Sequence, residues 1–223
     1  LPGPPVTITP RPSKVILFLS DVYSPFDINN QLVQDGFAAA GFHVLGLDYF
    51  YGDLISKHEG ASNEELMAWL AKSRTQADEA LPKWIKAVKE IYGELSVSIS
   101  TSLTRTSCVG YCFGAPYAMD LAATDEPLTA AFAHPAFLTK DHFSKLTKLL
   151  LLSCAETDST FGPQNLYSAA DVLSETKKRY HLQMFSGAQH RFATRADPAD
   201  ENAVWAKDES SRSIVGWFNR FSK

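Results

Sequence analysis

The most restrictive feature of the sequence is a cysteine between two glycines, in the motif Gly-Tyr-Cys-Phe-Gly at positions 110–114. An apolar stretch precedes the motif and a helix-like stretch follows it. A strand, a sharp turn and a helix in this order present a nucleophile, most often as Gly-x-Ser-x-Gly. The glycines suit such a turn because the strand and the helix pack closely around it. The motif therefore predicts a turn that presents Cys112, although a buried structural cysteine in a glycine-rich turn is the alternative.

Composition narrows the class of protein. With 223 residues, of which 45% are hydrophobic, the chain predicts a single domain spanning residues 1–223. It contains no apolar run of 18 residues, so we expect no membrane span. A formal net charge of −4 and the absence of a basic stripe argue against a nucleic-acid partner.

Cysteine usage bears on the compartment. Cys108, Cys112 and Cys154 are odd in number and lack Cys-x-x-Cys spacing, which favours free thiols and a cytoplasmic location. The chain starts at Leu1 rather than at a methionine, so we expect the native N-terminus to lie upstream. The sequence leaves open the alternative that a targeting segment has been removed.

Short apolar runs alternate with helical patterns along the chain. The predicted strands are Val15–Ser20, His43–Asp48, Thr106–Tyr111, Leu128–Ala133, Leu149–Cys154 and Tyr180–Phe185. Predicted helices include one with Leu32, Val33, Phe37 and Ala40 on its apolar face, a long one that Pro82 kinks or divides, and Phe113–Ala123. The proline-rich start, residues 1–13, predicts an irregular lead-in. The alternation predicts an α/β fold with a doubly wound, mostly parallel sheet and helices on both faces.

Reactive groups of such a sheet collect at the carboxyl ends of its strands. Asp158 follows the strand that begins at Leu149, and His190 follows the last predicted strand. The chain order of Cys112, Asp158 and His190 is that of the α/β-hydrolase triad. In these roles His190 takes the thiol proton and Asp158 orients and stabilises the imidazole. Glu156 is a rival for the acidic role.

These motifs resemble the dienelactone hydrolase family, in its fungal-type branch. The resemblance rests on Ser20-Asp21-Val22-Tyr23, the run from Asn30 to Gly41, the Gly-Tyr-Cys-Phe-Gly motif, the Asp158 turn and the stretch from Gln189 to Arg195. It spans nearly the whole chain. The cysteine turn together with the His-x-Phe-Ala segment is fairly specific for this family, which implies the α/β-hydrolase fold.

The resemblance implies roles for further residues. An acidic residue after the first strand contacts the resting thiol in this family and takes part in activating it when substrate arrives. Asp21 matches this position, although the well-known members have glutamate there. The N–H groups of Phe113 and Val22 would form the oxyanion hole. Arg195 matches an arginine that pairs with the acidic residue or with a substrate carboxylate. A turn role for Asp21 and a solvated surface role for Arg195 are the alternatives.

Other implied features are less specific. Tyr23 is expected to add an aromatic wall to the pocket, and His134 to line it or to serve the structure. No arginine matches by motif the second carboxylate clamp of dienelactone-specific members, and choosing Arg74 would be arbitrary, so dienelactone itself is not the expected substrate.

The sequence thus predicts an enzyme that hydrolyses an ester or lactone through an acyl-enzyme on Cys112. No metal or organic cofactor is expected, because histidine pairs with ligand spacing and a phosphate-binding loop are both absent from the sequence. The predicted partner is a small-molecule substrate, and a homodimer is possible. Two alternatives stay open: a cyclase, isomerase or carbon–carbon-cleaving enzyme of a fungal natural-product pathway, and a non-catalytic binding protein on the same scaffold.

Overall fold

A single parallel sheet forms the centre of the molecule. The computed structural model of the chain describes residues 13–92 and 105–222. Within them, six strands follow the order β2-β1-β3-β4-β5-β6, and every neighbouring pair is parallel. The strands are β1 (Lys14–Leu19), β2 (His43–Gly46), β3 (Arg105–Tyr111), β4 (Thr129–Ala133), β5 (Leu149–Thr157) and β6 (Tyr180–Gln189). The helices are α1 (Ile28–Ala39), α2 (Asn63–Tyr92), α3 (Ala115–Ala122), α4 (Lys140–Ser144), α5 (Pro163–Thr176) and α6 (Glu201–Phe221).

Both faces of the sheet are covered. In β1, Val15, Leu17 and Leu19 pack into a core with residues of α2, α3 and α5, whereas Ile16 and Phe18 pack on the opposite face with residues of α1 and α6. A strand buried on both faces reads as an unbroken apolar run, which explains the composition of β1. The predicted doubly wound α/β fold is confirmed. No helix in the described ranges is long and apolar enough to cross a bilayer.

The C-terminal ends of three strands differ from the prediction by two residues or more. Strand β2 stops at Gly46, short of the predicted Asp48. Strands β5 and β6 run to Thr157 and Gln189, beyond the predicted ends, because they continue to pair with each other across a register irregularity. As a consequence, Asp158 and His190 are the first residues past their strands.

Two helix predictions were wrong in detail. Helix α1 turns Asn30, Val33 and Phe37 inward and leaves Leu32 54% exposed, because Leu32 lies off the face that meets the sheet. Helix α2 continues through Pro82, so of the two effects predicted for this proline, a kink or a division, the division was wrong. The proline removes one backbone hydrogen bond, while the helix buries residues on both sides of it, so packing outweighs the loss. The predicted lead-in lies outside the described residues, apart from Ser13.

Candidate active site

Cys112 lies on a tight turn between β3 and α3. Its φ is 49°, in the left-handed region that a side-chain-bearing residue adopts at a cost of about 1 kcal/mol. Residues Cys112–Gly114 form a 3₁₀ turn, so the helix predicted from Phe113 begins at Ala115 instead. The turn lies beside the end of β1, where the chain order of the sheet reverses, and ligands of doubly wound sheets bind at such a point.

The two glycines of the motif are required by close backbone approach. A Cβ atom on Gly114 would lie 2.0 Å from the carbonyl oxygen of Leu19, and one on Gly110 would lie 2.5 Å from the carbonyl oxygen of Gly114. Both distances are far inside van der Waals contact with backbone atoms that cannot move freely. The predicted turn geometry, and its reason for glycine at both positions, are therefore present in the structure.

The three side chains placed by chain order meet in a hydrogen-bonded row. His190 Nε2 lies 3.2 Å from Cys112 Sγ, and His190 Nδ1 lies 2.8 Å from Asp158 Oδ2. Each residue follows directly after a strand of the same parallel sheet, so the shared carboxyl edge brings them together. This row has the geometry of a nucleophile, a base and an orienting acid.

The Asp158 carboxylate is held ionised. Burial raises its pKa, but hydrogen bonds from His190 and Thr160 lower it more, and the pKa falls from 3.8 to about 2. Thr160 donates to Oδ1 from its backbone N–H at 2.8 Å and from its hydroxyl at 2.7 Å. The free lone pairs of Oδ2 are thereby directed to the imidazole. The rival Glu156 instead accepts from Ser186 and the Gly187 N–H, and it is exposed.

The Cys112 thiol is protonated at rest. Its side chain is almost buried, and burial raises its pKa to about 12, with the negative charge of Asp21 adding to the effect. The Phe113 N–H and the Arg191 guanidinium oppose the shift. A neutral thiol beside an imidazole could act as a nucleophile only by passing its proton to the imidazole, because it is not a preformed thiolate.

The two expected oxyanion donors lie at neighbouring strand ends. Phe113 follows Cys112 in the turn after β3, and Val22 follows β1, the strand that pairs with β3. The Phe113 N–H lowers the pKa of the Cys112 thiol, as a backbone donor to the sulfur does. The carbonyl of Val22, which belongs to the peptide after the donor N–H, accepts a bond from the Ile55 N–H at 3.2 Å and anchors the chain at this residue.

Asp21, Arg195 and Tyr23, which were expected around the thiol, contact one another. Asp21 is 1% exposed and forms an ion pair with Arg195 at 3.5 Å, as the family resemblance implies. Among the described residues, however, the Cys112 thiol is not a hydrogen-bond partner of Asp21. Arg195 also stacks over the Tyr23 ring, with its Cζ 3.7 Å from the ring centroid, so Arg195 is not a solvated surface charge. The alternative turn role of Asp21 is present as well, because its Oδ1 accepts from the Tyr23 N–H at 3.0 Å.

His134 lies behind the row formed by Cys112, His190 and Asp158. Its ring is fully buried, 5.2 Å from the ring of His190 at an interplanar angle of 76°, and it also contacts Tyr111 and Phe192. Neither ring nitrogen has a hydrogen-bond partner within residues 13–92 and 105–222. Burial lowers its pKa well below the ordinary value, with the nearby His190 adding to the shift. His134 is thus a neutral ring packed against His190 rather than an exposed part of the pocket wall.

Sequence reasoning missed several residues that hold this site. Thr160 completes the bonding of Asp158, and its position two residues later in a turn is a signal that could have identified it. Asn30 and Thr194 donate to Asp21, and no local pattern marks them because the partners are distant in sequence. In the part of the chain that the structure describes, no cluster of three or more His, Cys, Asp or Glu side chains is arranged to hold a metal.

A parallel α/β sheet with a cysteine turn after β3, an acid after β5 and a histidine after β6 has the arrangement of an α/β-hydrolase. The chain belongs to the dienelactone hydrolase family, whose family model matches residues 5–222. The resemblance drawn from the sequence motifs is therefore confirmed, and the chain is a member of a family of hydrolases.

The similarity to known proteins extends over most of the chain. It is 30% identical to dienlactone hydrolase 1 of Gibberella moniliformis over 210 residues, which cover 92% of this chain and 78% of the relative. It is 31% identical to dienlactone hydrolase 2 of the same fungus, over 94% and 81% of the two chains. The crystal structure of a dienelactone hydrolase from Anabaena variabilis superimposes with a TM-score of 0.60 at 16% identity, over 94% of this chain and 87% of that one.

Proposed function

We propose that the chain hydrolyses an ester or lactone through a thioester formed on Cys112. The observation that carries the proposal is the hydrogen-bonded row from Cys112 through His190 to Asp158, set on a left-handed turn at the carboxyl edge of the sheet. Family membership supports hydrolysis as the reaction class. The residues of the row supply the nucleophile, the proton acceptor and the group that orients it.

Attack begins from the neutral thiol. As the substrate carbonyl approaches, His190 Nε2 accepts the thiol proton across 3.2 Å while sulfur bonds to the carbonyl carbon. The imidazolium that forms is stabilised by Asp158, whose low pKa keeps it ionised at neutral pH. The N–H groups of Phe113 and Val22 receive the negative charge that develops on the carbonyl oxygen.

Release of the product reverses the proton path. The His190 imidazolium protonates the alcohol oxygen as the ester bond breaks, leaving a thioester on Cys112. His190 then removes a proton from a water molecule, whose oxygen attacks the thioester carbon. The carbon–sulfur bond breaks, the acid is released, and the His190 imidazolium returns its proton to the Cys112 sulfur. An alcohol or enol leaving group departs more readily than an amine, so the site suits activated esters and strained lactones better than amides.

A trapping experiment tests this proposal. The protein is incubated with a panel of activated aryl esters and lactones, and intact-protein mass spectrometry follows the mass added to the chain. We expect an acyl adduct on Cys112, turnover in the wild type, and loss of both in Cys112→Ala; His190→Ala should lose turnover. If Cys112→Ala turned over the esters as fast as the wild type, Cys112 would not be the nucleophile.

Oxygen-18 water separates the alternatives left open by the sequence. Hydrolysis places one labelled oxygen in the product acid. A cyclase or isomerase gives a product with the mass of the substrate and no label. A binding protein gives neither an adduct nor turnover while still retaining a ligand, which equilibrium dialysis against the same panel detects.

A further inference from the structure

Two loops on either side of Cys112 are joined to each other. The oxyanion loop, residues 20–27, follows β1 and carries Val22; the histidine loop, residues 190–196, follows β6. Strands β1 and β6 are four positions apart in the sheet, so backbone pairing does not connect these loops. Their side chains make the connection.

Arg195 of the histidine loop makes most of the cross-links. Its Nη2 lies 2.7 Å from Asp27 Oδ1, its Nη1 lies 3.5 Å from Asp21 Oδ2, and its guanidinium covers the Tyr23 ring. Arg191 of the same loop donates to the Tyr23 hydroxyl at 3.2 Å. One loop thus supplies the cations, and the other supplies the carboxylates and the aromatic ring.

Asp21 is the buried centre of this connection. Its Oδ2 accepts from the Thr194 hydroxyl at 3.2 Å, while its Oδ1 accepts from Asn30 Nδ2 at 2.8 Å and from the Tyr23 N–H at 3.0 Å. Charges and hydrogen bonds offset part of the desolvation of a buried carboxylate, and here both oxygens are engaged. Burial still raises the pKa of Asp21, while Arg195, Asn30, the Tyr23 N–H and Thr194 lower it. These partners tie Asp21 to α1, to its own loop and to the histidine loop at once.

We propose that Asp21 is a positioning residue that fastens the oxyanion loop to the histidine loop and does not itself activate the thiol. The inference rests on the proposed function, in which the Val22 N–H and the His190 imidazole act on one carbonyl group. Misplacing such groups by about 1 Å costs on the order of a hundredfold in rate. This role differs from the one that the family resemblance implies for Asp21, which is contact with the resting thiol and a part in its activation when substrate arrives.

The two roles predict opposite effects of Asp21→Asn on the thiol. The Asp21 charge, second to burial, raises the pKa of Cys112, so removing it leaves more thiolate at a given pH. If Asp21 only positions the loops, alkylation of Cys112 by iodoacetamide is unchanged or faster while ester turnover falls. If Asp21 activates the thiol, alkylation and turnover fall together.

The experiment compares Asp21→Asn with Asp35→Asn, an exposed control on α1. We expect kcat on an activated aryl ester to fall about 10- to 100-fold in Asp21→Asn, with alkylation at pH 8 no slower, and no change in the control. Parallel loss of alkylation, or unchanged kcat, overturns the proposal. Thr194→Val removes one bond to Asp21 at nearly constant volume, and we expect a smaller loss of the same kind if Asp21→Asn folds poorly.

Hydrogen exchange gives a readout that does not depend on turnover. In Asp21→Asn, amide exchange is expected to accelerate about tenfold in both loops, as for the loss of a charged hydrogen bond. Acceleration confined to residues 20–27, or absent, contradicts the fastening role even if no ester is turned over. Failure of the proposed function, by contrast, appears as a wild type without acyl adduct whose loops still respond to the substitution.

Discussion

Cys112 and His190 are 78 positions apart in sequence, yet Sγ and Nε2 lie 3.2 Å from each other. Strands β3 and β6, which precede them, are separated by β4 and β5, a distance of about 14 Å at the usual strand spacing. The histidine loop must therefore reach back over the sheet. A hydrogen bond from the His190 N–H to the Thr157 carbonyl at 3.2 Å, and the bond to Asp158, fix the start of that path at β5.

Replacing Asp158 with asparagine tests the orienting role. The amide preserves the shape of the side chain but loses the charge that stabilises the imidazolium and fixes the tautomer of His190. We expect kcat on an activated ester to fall about 10³- to 10⁴-fold, as for the equivalent change in serine hydrolases. Glu156→Gln, the matched control, should keep its activity. A loss of kcat in Glu156→Gln as large as that in Asp158→Asn would assign the orienting role to Glu156 as well.

His134 makes stability depend on pH. Its pKa in the folded chain lies well below the ordinary 6.5, so the unfolded chain binds a proton that the folded chain excludes. The stabilising contribution of the neutral ring is complete above pH 6.5 and is lost as the pH falls below that value. His134→Phe keeps a ring against His190 and removes this linkage.

Urea unfolding at several pH values measures the effect. Between pH 6 and pH 5 we expect the wild type to lose up to about 1.4 kcal/mol more unfolding free energy per pH unit than His134→Phe. Parallel curves for the two proteins would mean that His134 keeps its ordinary pKa when buried. His43→Phe, which changes an exposed histidine on β2, controls for the substitution itself.

The sequence specifies the centre of this site better than its surroundings. Cys112, Asp158 and His190 could be predicted because each follows an apolar run, and the carboxyl ends of parallel strands share one edge. The extent of β5 and β6 could not, since their last residues pair only with each other across an irregularity. Asn30 and Thr194, which donate hydrogen bonds to Asp21, could not be predicted either, because these contacts depend on how the loops fold over the sheet.

The glycines of the turn offer a matched test of packing. A Cβ on Gly114 would lie 2.0 Å from the Leu19 carbonyl oxygen, whereas one on Gly36 of α1 meets no atom within 4 Å. We expect Gly114→Ala to destabilise the fold by about 3 kcal/mol or more and Gly36→Ala to stabilise it by about 0.5–1 kcal/mol. Thermal unfolding of the two variants measures the contrast. Equal unfolding temperatures would show that β1 and the turn do not pack this closely.

Arg191 acts on the thiol in the direction opposite to Asp21. Its guanidinium lowers the pKa of Cys112, which burial and Asp21 raise. Its backbone has a φ of 78°, a conformation that glycine adopts freely, so Arg191→Gly removes the charge without straining the turn. We expect Cys112 in this variant to react with iodoacetamide severalfold more slowly at low ionic strength.

Because Arg191 is exposed, salt screens its charge, and the difference from the wild type should shrink as the ionic strength rises to about 1 M. Arg191→Lys retains a cation and should react at nearly the wild-type rate, which separates the charge from the hydrogen bond to Tyr23. A slow rate that does not respond to salt would assign the effect to a displaced histidine loop. In that case hydrogen exchange in residues 190–196 would accelerate as well, and the electrostatic role of Arg191 would be lost.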